Sequence, residues 1–343
     1  MEINKIYNEN CLETMARMPD GFVDLTVTSP PYDELRTYNG YSFPFEDIAR
    51  ELFRITKDGG VVVWIVGDAT VKGSETGTSF RQALHFKGIG FNLHDTMIYY
   101  KDSFQKPSPN RYWSCMEYMF VFSKGKPKAY NLICDRKNKQ AGKKTSGKTA
   151  RNANGTTSKR KDVVINDYGR RTNVWTYKVG YMKSTADKIA YQHSAIFPEQ
   201  LANDHIISWS NENDLVYDPF MGSGTTAKMA ILNKRNWIGS EISKEYCEIA
   251  EKRINENLTD RRTPMAHYDP QDTRKYYDAK VDELAELQAS FDNEVQAHIA
   301  TINKAAMQAQ KLGTQIADKD KTIAEQAKQI AALVEVVDRW HYH

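Results

Sequence analysis

The 343-residue sequence predicts an α/β fold: a three-layer core in which a mostly parallel sheet is covered by helices, with a basic insert and a long C-terminal helical extension. Three observations point there. The apolar runs VDLTVTS (23–29) and GVVVWIVGD (60–68) lack polar alternation, which suits strands buried on both faces. Between them, FEDIARELFRITKDGG repeats apolar residues at Ile48, Leu52 and Ile55 and stops at glycine, the pattern of a crossover helix. The same strand–helix–strand order resumes near residue 213, after a stretch of different composition.

Along the chain, DTMIYYK (95–101) and EYMFVFSK (117–124) read as a further pair of strands. The segment before the second, Lys106 to Trp113, mixes positive and aromatic residues; it reads equally as a nucleic-acid contact or as a surface loop with a buried tryptophan. NDLVYDPF (213–220) is a strand, TTAKMAILNKR a helix, NWIGSEI (236–242) a strand and SKEYCEIAEKRINENL a helix. A polar linker with Pro264 and Pro270 then leads to a tail whose apolar residues recur every seventh position, at Val295, Ile302, Ala309, Ile316, Ile323, Ile330 and Val337. That spacing is a heptad seam. It suits a coiled coil that joins copies of the chain, or an amphipathic helix packed on the main domain; Gly313 and Asp320 interrupt the neighbouring seam.

Charged residues are 27% of the chain and hydrophobic ones 40%, with a net charge of +3, an ordinary soluble balance. No apolar run approaches membrane-spanning length, and the first residues lack a signal-peptide pattern. Cys11, Cys115, Cys134 and Cys247 are scattered, which argues against a zinc site or disulfide framework and suits a reducing compartment. A cytoplasmic protein without membrane contact is the expectation.

The charge is concentrated. Residues 135–171 hold twelve positive side chains, among them Lys143, Lys144, Lys148, Arg151, Lys159, Arg160, Lys161, Arg170 and Arg171, against Asp135, Asp162 and Asp167. Locally this reads as a solvated loop, yet such a surface suits phosphate backbones. Gly142 to Thr149 matches the phosphate-gripping GxxxxGK[ST] pattern, but polar, irregular sequence on both sides removes the strand and helix that pattern needs.

Two motifs carry chemistry. Asp218-Pro219-Phe220-Met221-Gly222-Ser223-Gly224-Thr225-Thr226 joins a strand to a helix, so its glycines can turn tightly and let a ligand approach the backbone at a helix N-terminus. Glu241 ends the next strand, where a carboxylate meets a ribose diol in nucleotide-binding units. The loop lacks a GK[ST] ending, so a ligand without a phosphate chain fits better. Upstream, Thr28-Ser29-Pro30-Pro31-Tyr32 ends an apolar strand in two prolines and a ring, which alone reads as a proline turn.

Together and in this order, the two motifs resemble the amino-group DNA methyltransferases, the cytosine-N4 and adenine-N6 family, in their permuted beta class. NENCLETMARMPDGFVDLTVTSPPYD resembles the family's N-terminal block and HSAIFPEQL (193–201) its segment before the cofactor strand; the likeness spans residues 3–255 and leaves the tail outside. It implies a Rossmann-like methyltransferase core with circularly permuted motif order: a catalytic half (1–130), a target recognition region (131–180), a cofactor half (181–258), a linker (259–278) and the tail (279–343).

The resemblance implies S-adenosylmethionine as methyl donor and DNA as substrate, with no metal. Ser29 and the Pro30 carbonyl would accept hydrogen bonds from an exocyclic amine, Pro31 would stiffen the loop, and Tyr32 would stack on a base flipped from the duplex. The loop from Asp218 to Thr225 would hold the cofactor's methionine end, Glu241 its ribose, and Phe197 and Pro198 would line the pocket. Members often carry Gly-Asp-Cys where this chain has Glu9-Asn10-Cys11, so Asn10 would stand near the cofactor adenine or the target base. Serine before the prolines is more usual in cytosine-N4 enzymes, and favours cytosine over adenine. A homo-oligomer through the tail and a cognate restriction enzyme are the partners to consider. Loops of this type also serve methyltransferases of RNA or protein, and a dead core could act as a DNA-binding scaffold; the basic insert and intact motifs favour a DNA enzyme.

Overall fold

The computed structural model describes residues 1–31, 43–105, 109–145, 149–159, 163–259 and 270–341. It divides into two compact units, Met1–Thr263 and Pro264–His343. In the first unit, β1 (Lys5–Tyr7) and α1 (Cys11–Ala16) precede β2 (Val23–Thr28), α2 (Phe45–Ile55) and β3 (Thr56–Val66). Helix α3 (Thr78–Gly88), β4 (Asn92–Gln105), β5 (Ser114–Ser123) and β6 (Val174–Tyr177) follow. Next come α4 (Glu199–Trp209), β7 (Leu215–Asp218), α5 (Thr225–Leu232), β8 (Asn236–Ser240) and α6 (Lys244–Thr259).

The sheet runs β1–β8–β7–β2–β3–β5–β4–β6. Within it only β5 is antiparallel to its neighbours. Alternation along β3 explains the layers: Val61, Val63 and Ile65 enter one core with α4, α5 and α6, while Val62, Trp64 and Val66 enter the other with α1, α2 and α3. The expected α/β core is therefore observed. Its expected strands at 95–101 and 117–124 pair as β4 and β5, both longer than the apolar runs alone indicated.

Three details differ from expectation. Helix α2 stops at Ile55 and the chain enters β3 at once, so TKDGG belongs to a strand whose register slips opposite Val23 and Leu25. The insert is folded as an antiparallel ribbon: Arg136–Lys137 pairs with Tyr168–Gly169, Lys144–Thr145 with Val163–Val164, and Thr149–Arg151 with Thr157–Lys159. Tyr112 is 100% exposed and Trp113 53%, which removes the buried-tryptophan reading of that loop. In the second unit a single helix, α7 (Pro270–His341), begins at Pro270 itself, because a first-turn residue needs no N–H donor.

Helix α4 carries polar residues inward. Asp204 accepts hydrogen bonds from Tyr177 Oη (2.9 Å) and Arg171 Nη1 (2.6 Å), and the Arg171 guanidinium lies 5.1 Å from the Trp175 ring centroid. Beside them His205 is fully buried against Trp175, its Nε2 3.2 Å from Met119 Sδ. Burial, helped by the Arg171 charge, pushes the His205 pKa from 6.5 down to about 3. The folded imidazole therefore stays neutral while the unfolded one gains a proton below 6.5, so this stability is present at neutral pH and lost as pH falls. Urea unfolding at pH 7 and pH 5 should show the wild type losing about 2 kcal/mol more than His205→Asn. Equal losses would mean that His205 does not drive the acid sensitivity.

Candidate active site

Two segments some 190 residues apart are brought together by strand pairing. Strand β7 lies beside β2, with Val216 opposite Leu25 and Tyr217 opposite Thr26. Their C-terminal ends therefore emerge side by side, the position where open α/β sheets hold ligands. Thr28 Oγ1 donates to Asp218 Oδ1 at 2.6 Å, Thr226 Oγ1 donates to Asp218 Oδ2 at 2.7 Å, and the Phe220 amide donates to Oδ1 at 3.0 Å. Burial pushes the Asp218 carboxyl up, opposed by these three donors. Asp218 is thus a strut that ties the Ser29 loop to the Gly222 loop, and its own oxygens are engaged within the chain.

On this strut Ser29 and Pro31 are half-buried and Pro30 is buried. Tyr32 lies outside the described residues. Pro219 is buried and Phe220 half-buried, its ring edge-on to Phe43 at 5.7 Å.

The glycine loop turns through left-handed backbone at Gly222 (φ 50°) and Gly224 (φ 81°). A Cβ at Gly222 would lie 2.9 Å from His193 Nε2, and one at Gly224 would lie 3.0 Å from the Ala250 Cβ. The missing side chains thus admit an imidazole and helix α6. His193 is held in turn by the Tyr246 ring, 4.1 Å between centroids.

Glu241 closes the other side. Its Oε2 accepts the Gly222 amide at 2.9 Å and its Oε1 the Ser243 amide at 2.8 Å. Burial pushes its pKa up, and the Ser243 and Gly222 amides oppose that. An ionised carboxylate offers about four acceptor positions, so capacity remains for a vicinal diol. The N-terminal segment packs against this corner, with Asn8 Nδ2 donating to the Glu241 carbonyl at 2.9 Å. Asn10 Oδ1 caps α1 by accepting the Leu12 amide at 2.9 Å, a structural task distinct from the cofactor contact expected of it.

Beneath the loop lies a charge cluster that sequence reasoning missed. Arg253 is 0% exposed; its Nε donates to Asp187 Oδ2 at 2.7 Å and its Nη2 to Glu199. Lys228 Nζ reaches Asp187 Oδ2 and Glu199 Oε1, each at 2.7 Å. Burial raises the Asp187 pKa, but the bonds from Arg253 and Lys228 outweigh it and leave the carboxyl lowered. Arg253 Nη1 also donates to the Ser223 carbonyl and to Thr225 Oγ1, both at 3.0 Å. Ser223 and Thr225, expected to face a cofactor, therefore hold the loop from below. Phe197 packs on the core and Pro198 caps α4. One signal was available: Arg253 sits among Ile249, Ala250 and Ile254 on the buried stripe of α6, an unusual place for a charge.

Of the basic residues expected on DNA, Lys143, Lys144, Arg151, Lys159 and Arg170 are exposed on the ribbon, while Lys148, Arg160 and Lys161 lie outside the described residues. Arg171 is a correction. It pairs with Asp135 and with the 1%-exposed Asp204, and burial of its charge is outweighed by these partners, which raise its pKa. Its guanidinium pins the ribbon's stem to α4. The Gly142–Thr149 match also lies on this ribbon, in paired strands. Among the described residues no cluster of His, Cys, Asp or Glu could hold a metal, and no helix is long and apolar enough to cross a membrane.

Comparison with known proteins places this geometry. Orphan methyltransferase M.BamHII of Bacillus amyloliquefaciens is 64% identical over 237 residues, spanning 68% of this chain and 89% of that protein. Type II methyltransferase M.MthZI of Methanothermobacter thermautotrophicus is 28% identical over 299 residues, spanning 74% and 77%. The solved PvuII DNA methyltransferase (cytosine-N4-specific) shares the fold, with a TM-score of 0.54 at 20% identity over 76% of this chain and 92% of that one. A DNA modification methylase of Thermus thermophilus, solved in complex with S-adenosyl-L-methionine, does so with a TM-score of 0.50 at 22% identity, over 74% and 94%. Residues 23–252 match the N6/N4 methyltransferase family model, described as DNA methylase, and the chain belongs to that family.

Proposed function

We propose that this protein transfers a methyl group from S-adenosylmethionine to the exocyclic amine of a flipped DNA base, with cytosine N4 favoured over adenine N6. The observation that carries the proposal is the pairing of β2 with β7, which sets the Ser29-Pro30-Pro31 loop beside the Gly222 loop, bridged by Asp218. The residues present fit the cofactor: Glu241 is anchored at two backbone amides with acceptor capacity to spare for a ribose diol. When bound, S-adenosylmethionine supplies a methyl group on a cationic sulfur.

An exocyclic amine is a poor nucleophile because its lone pair is delocalised into the ring. Ser29 Oγ and the Pro30 carbonyl accept its two N–H hydrogens, which draws the nitrogen toward tetrahedral geometry and aims the lone pair. Two prolines fix the backbone, so these acceptors are oriented before the base arrives. Ser29 can also donate toward the ring nitrogen beside a cytosine amine, and this favours cytosine. Positioning is the main catalytic device, with no covalent intermediate on the protein.

The ribbon is the recognition element. Its distal hairpin pairs Thr149 with Lys159 and Arg151 with Thr157, so these four share one face, while Ala150 and Ser158 share the other. The tip is braced internally: Asn152 Nδ2 donates to Thr156 Oγ1 at 3.0 Å and Ser158 Oγ to Asn152 Oδ1 at 3.1 Å. That leaves Arg151 and Lys159 as the projecting hydrogen-bond donors, on a two-stranded ribbon that a major groove can admit. The double variant Arg151→Ala/Lys159→Ala should methylate its preferred sites roughly 10–100-fold more slowly, the loss expected for base contacts. Single-molecule sequencing of modified DNA reads this; an unchanged rate and site preference would remove the ribbon from recognition.

The founding test is mass spectrometry of nucleosides from unmethylated DNA treated with protein and S-adenosylmethionine. N4-methylcytosine is the expected product. N6-methyladenine would correct the base and keep the enzyme, and the absence of both would overturn the proposal.

A further inference from the structure

We infer that helix α7 joins two copies of this chain in a parallel, in-register, two-stranded coiled coil. The inference is independent of the methyl-transfer reading. Helix α7 is 72 residues long and lies beyond the family match, which ends at residue 252. On it Val295, Ile302, Ile316, Ile323 and Ile330 recur at seven-residue spacing, between 38% and 65% exposed. Leu312 and Leu333, in the register three positions on, are 53% and 63% exposed. A helix of this length that leaves a continuous isoleucine row in water is stabilised chiefly by packing that row against another surface.

The composition of the seam selects the occupant. With Val295 set as a, the a positions are Val295, Ile302, Ala309, Ile316, Ile323 and Ile330, and the d positions are His298, Ala305, Leu312, Lys319, Gln326 and Leu333. β-Branched residues at a with leucine at d favour two parallel strands. Parallel pairing stacks a on a, so every isoleucine layer is wholly apolar and the polar residues meet in separate d layers. Antiparallel pairing would set isoleucines against Lys319 or Gln326.

Charge agrees with a second copy of the same chain. The g positions, Thr301, Gln308, Gln315, Thr322 and Gln329, are uncharged, so two identical helices meet without like-charge repulsion there. The one charged core residue, Lys319, is followed at e by Asp320, so in register each Lys319 is flanked by Asp320 of the partner subunit. From Val295 to Leu333 the seam is about 60 Å long, and at one helix diameter in width the shared footprint is on the order of 1,200 Å², enough for a specific interface.

Light scattering of the full chain tests this. The wild type is expected at twice the 39.3 kDa chain mass, and Ile316→Asp/Ile323→Asp at half the wild-type mass with unchanged thermal stability of the α/β core. A monomeric wild type, a trimer or tetramer, or a variant that keeps the dimer mass would overturn the inference. Orientation is read from Ala309→Cys, which should form a covalent dimer through residue 309 on mild oxidation, identified by peptide mass spectrometry. A dimer that does not cross-link at 309 would be antiparallel or staggered, and would overturn the arrangement.

Discussion

Arg253→Leu should lower the melting temperature by on the order of 10 °C, the equivalent of about 3–5 kcal/mol for breaking a buried charge cluster from one side. Asp187 and Glu199 each face both Arg253 and Lys228, so removal of the arginine leaves two carboxylates sharing one ammonium without access to water. The guanidinium is also the floor of the glycine loop, through the Ser223 carbonyl and Thr225 Oγ1. The loss should therefore appear twice, as reduced stability and as a smaller thermal shift on adding S-adenosylmethionine. Arg253→Lys should recover part of the stability and less of the loop, because an ammonium cannot span the same acceptors. Differential scanning fluorimetry measures both, and a drop of only one or two degrees for Arg253→Leu would show that the cluster does not carry the core.

Ser29→Ala should reduce methylation roughly 10²-fold while leaving cofactor affinity nearly unchanged, the cost typical of removing one preorganised polar contact to the reacting group. The strut beneath it does not involve the Ser29 side chain: Thr28 makes the bond to Asp218, so the alanine variant keeps the architecture. The separation between rate and binding is the informative part. Single-turnover methylation beside isothermal titration with S-adenosylmethionine provides it. Wild-type turnover in Ser29→Ala would exclude the serine as acceptor, and a parallel fall in cofactor affinity would mean that the loop serves the donor and not the amine.

Much of this was legible because the strands of a parallel sheet are short, apolar and punctuated. VDLTV, GVVVWIV, LVYD and NWIGS announce themselves, and the two loops that follow the first and third carry the chemistry. Other elements were not legible, for local reasons. Strand β1 has three residues, too few for a period, and α4 buries Asp204, His205 and Ser208 on its inner side, which blurs the apolar stripe. The ribbon is built from pairings of two or three residues separated by polar sequence, so composition alone made it a loop. Arg171 was counted with the DNA-facing cations because charge in a sequence does not disclose its partner, here 33 positions away on α4. The glycines were recognised, but what fills the space above them, His193 and Ala250, is a tertiary fact.

The order of strands has a consequence for how the protein is made. Strands β7 and β8 lie between β1 and β2, although β1 and β2 are the first to leave the ribosome. A nascent chain thus holds a sheet with a slot two strands wide until residues 215–240 emerge. Neither early strand can pair with a neighbour on that side before then, and the carboxylate that bridges the two loops is itself delivered in the late segment, at residue 218. The core closes by insertion of its own last strands, a topology rich in long-range contacts and correspondingly slow to form. Chains interrupted before residue 240 would expose the unpaired edges of β1 and β2, so the same slot that receives the late strands is where a truncated product would aggregate.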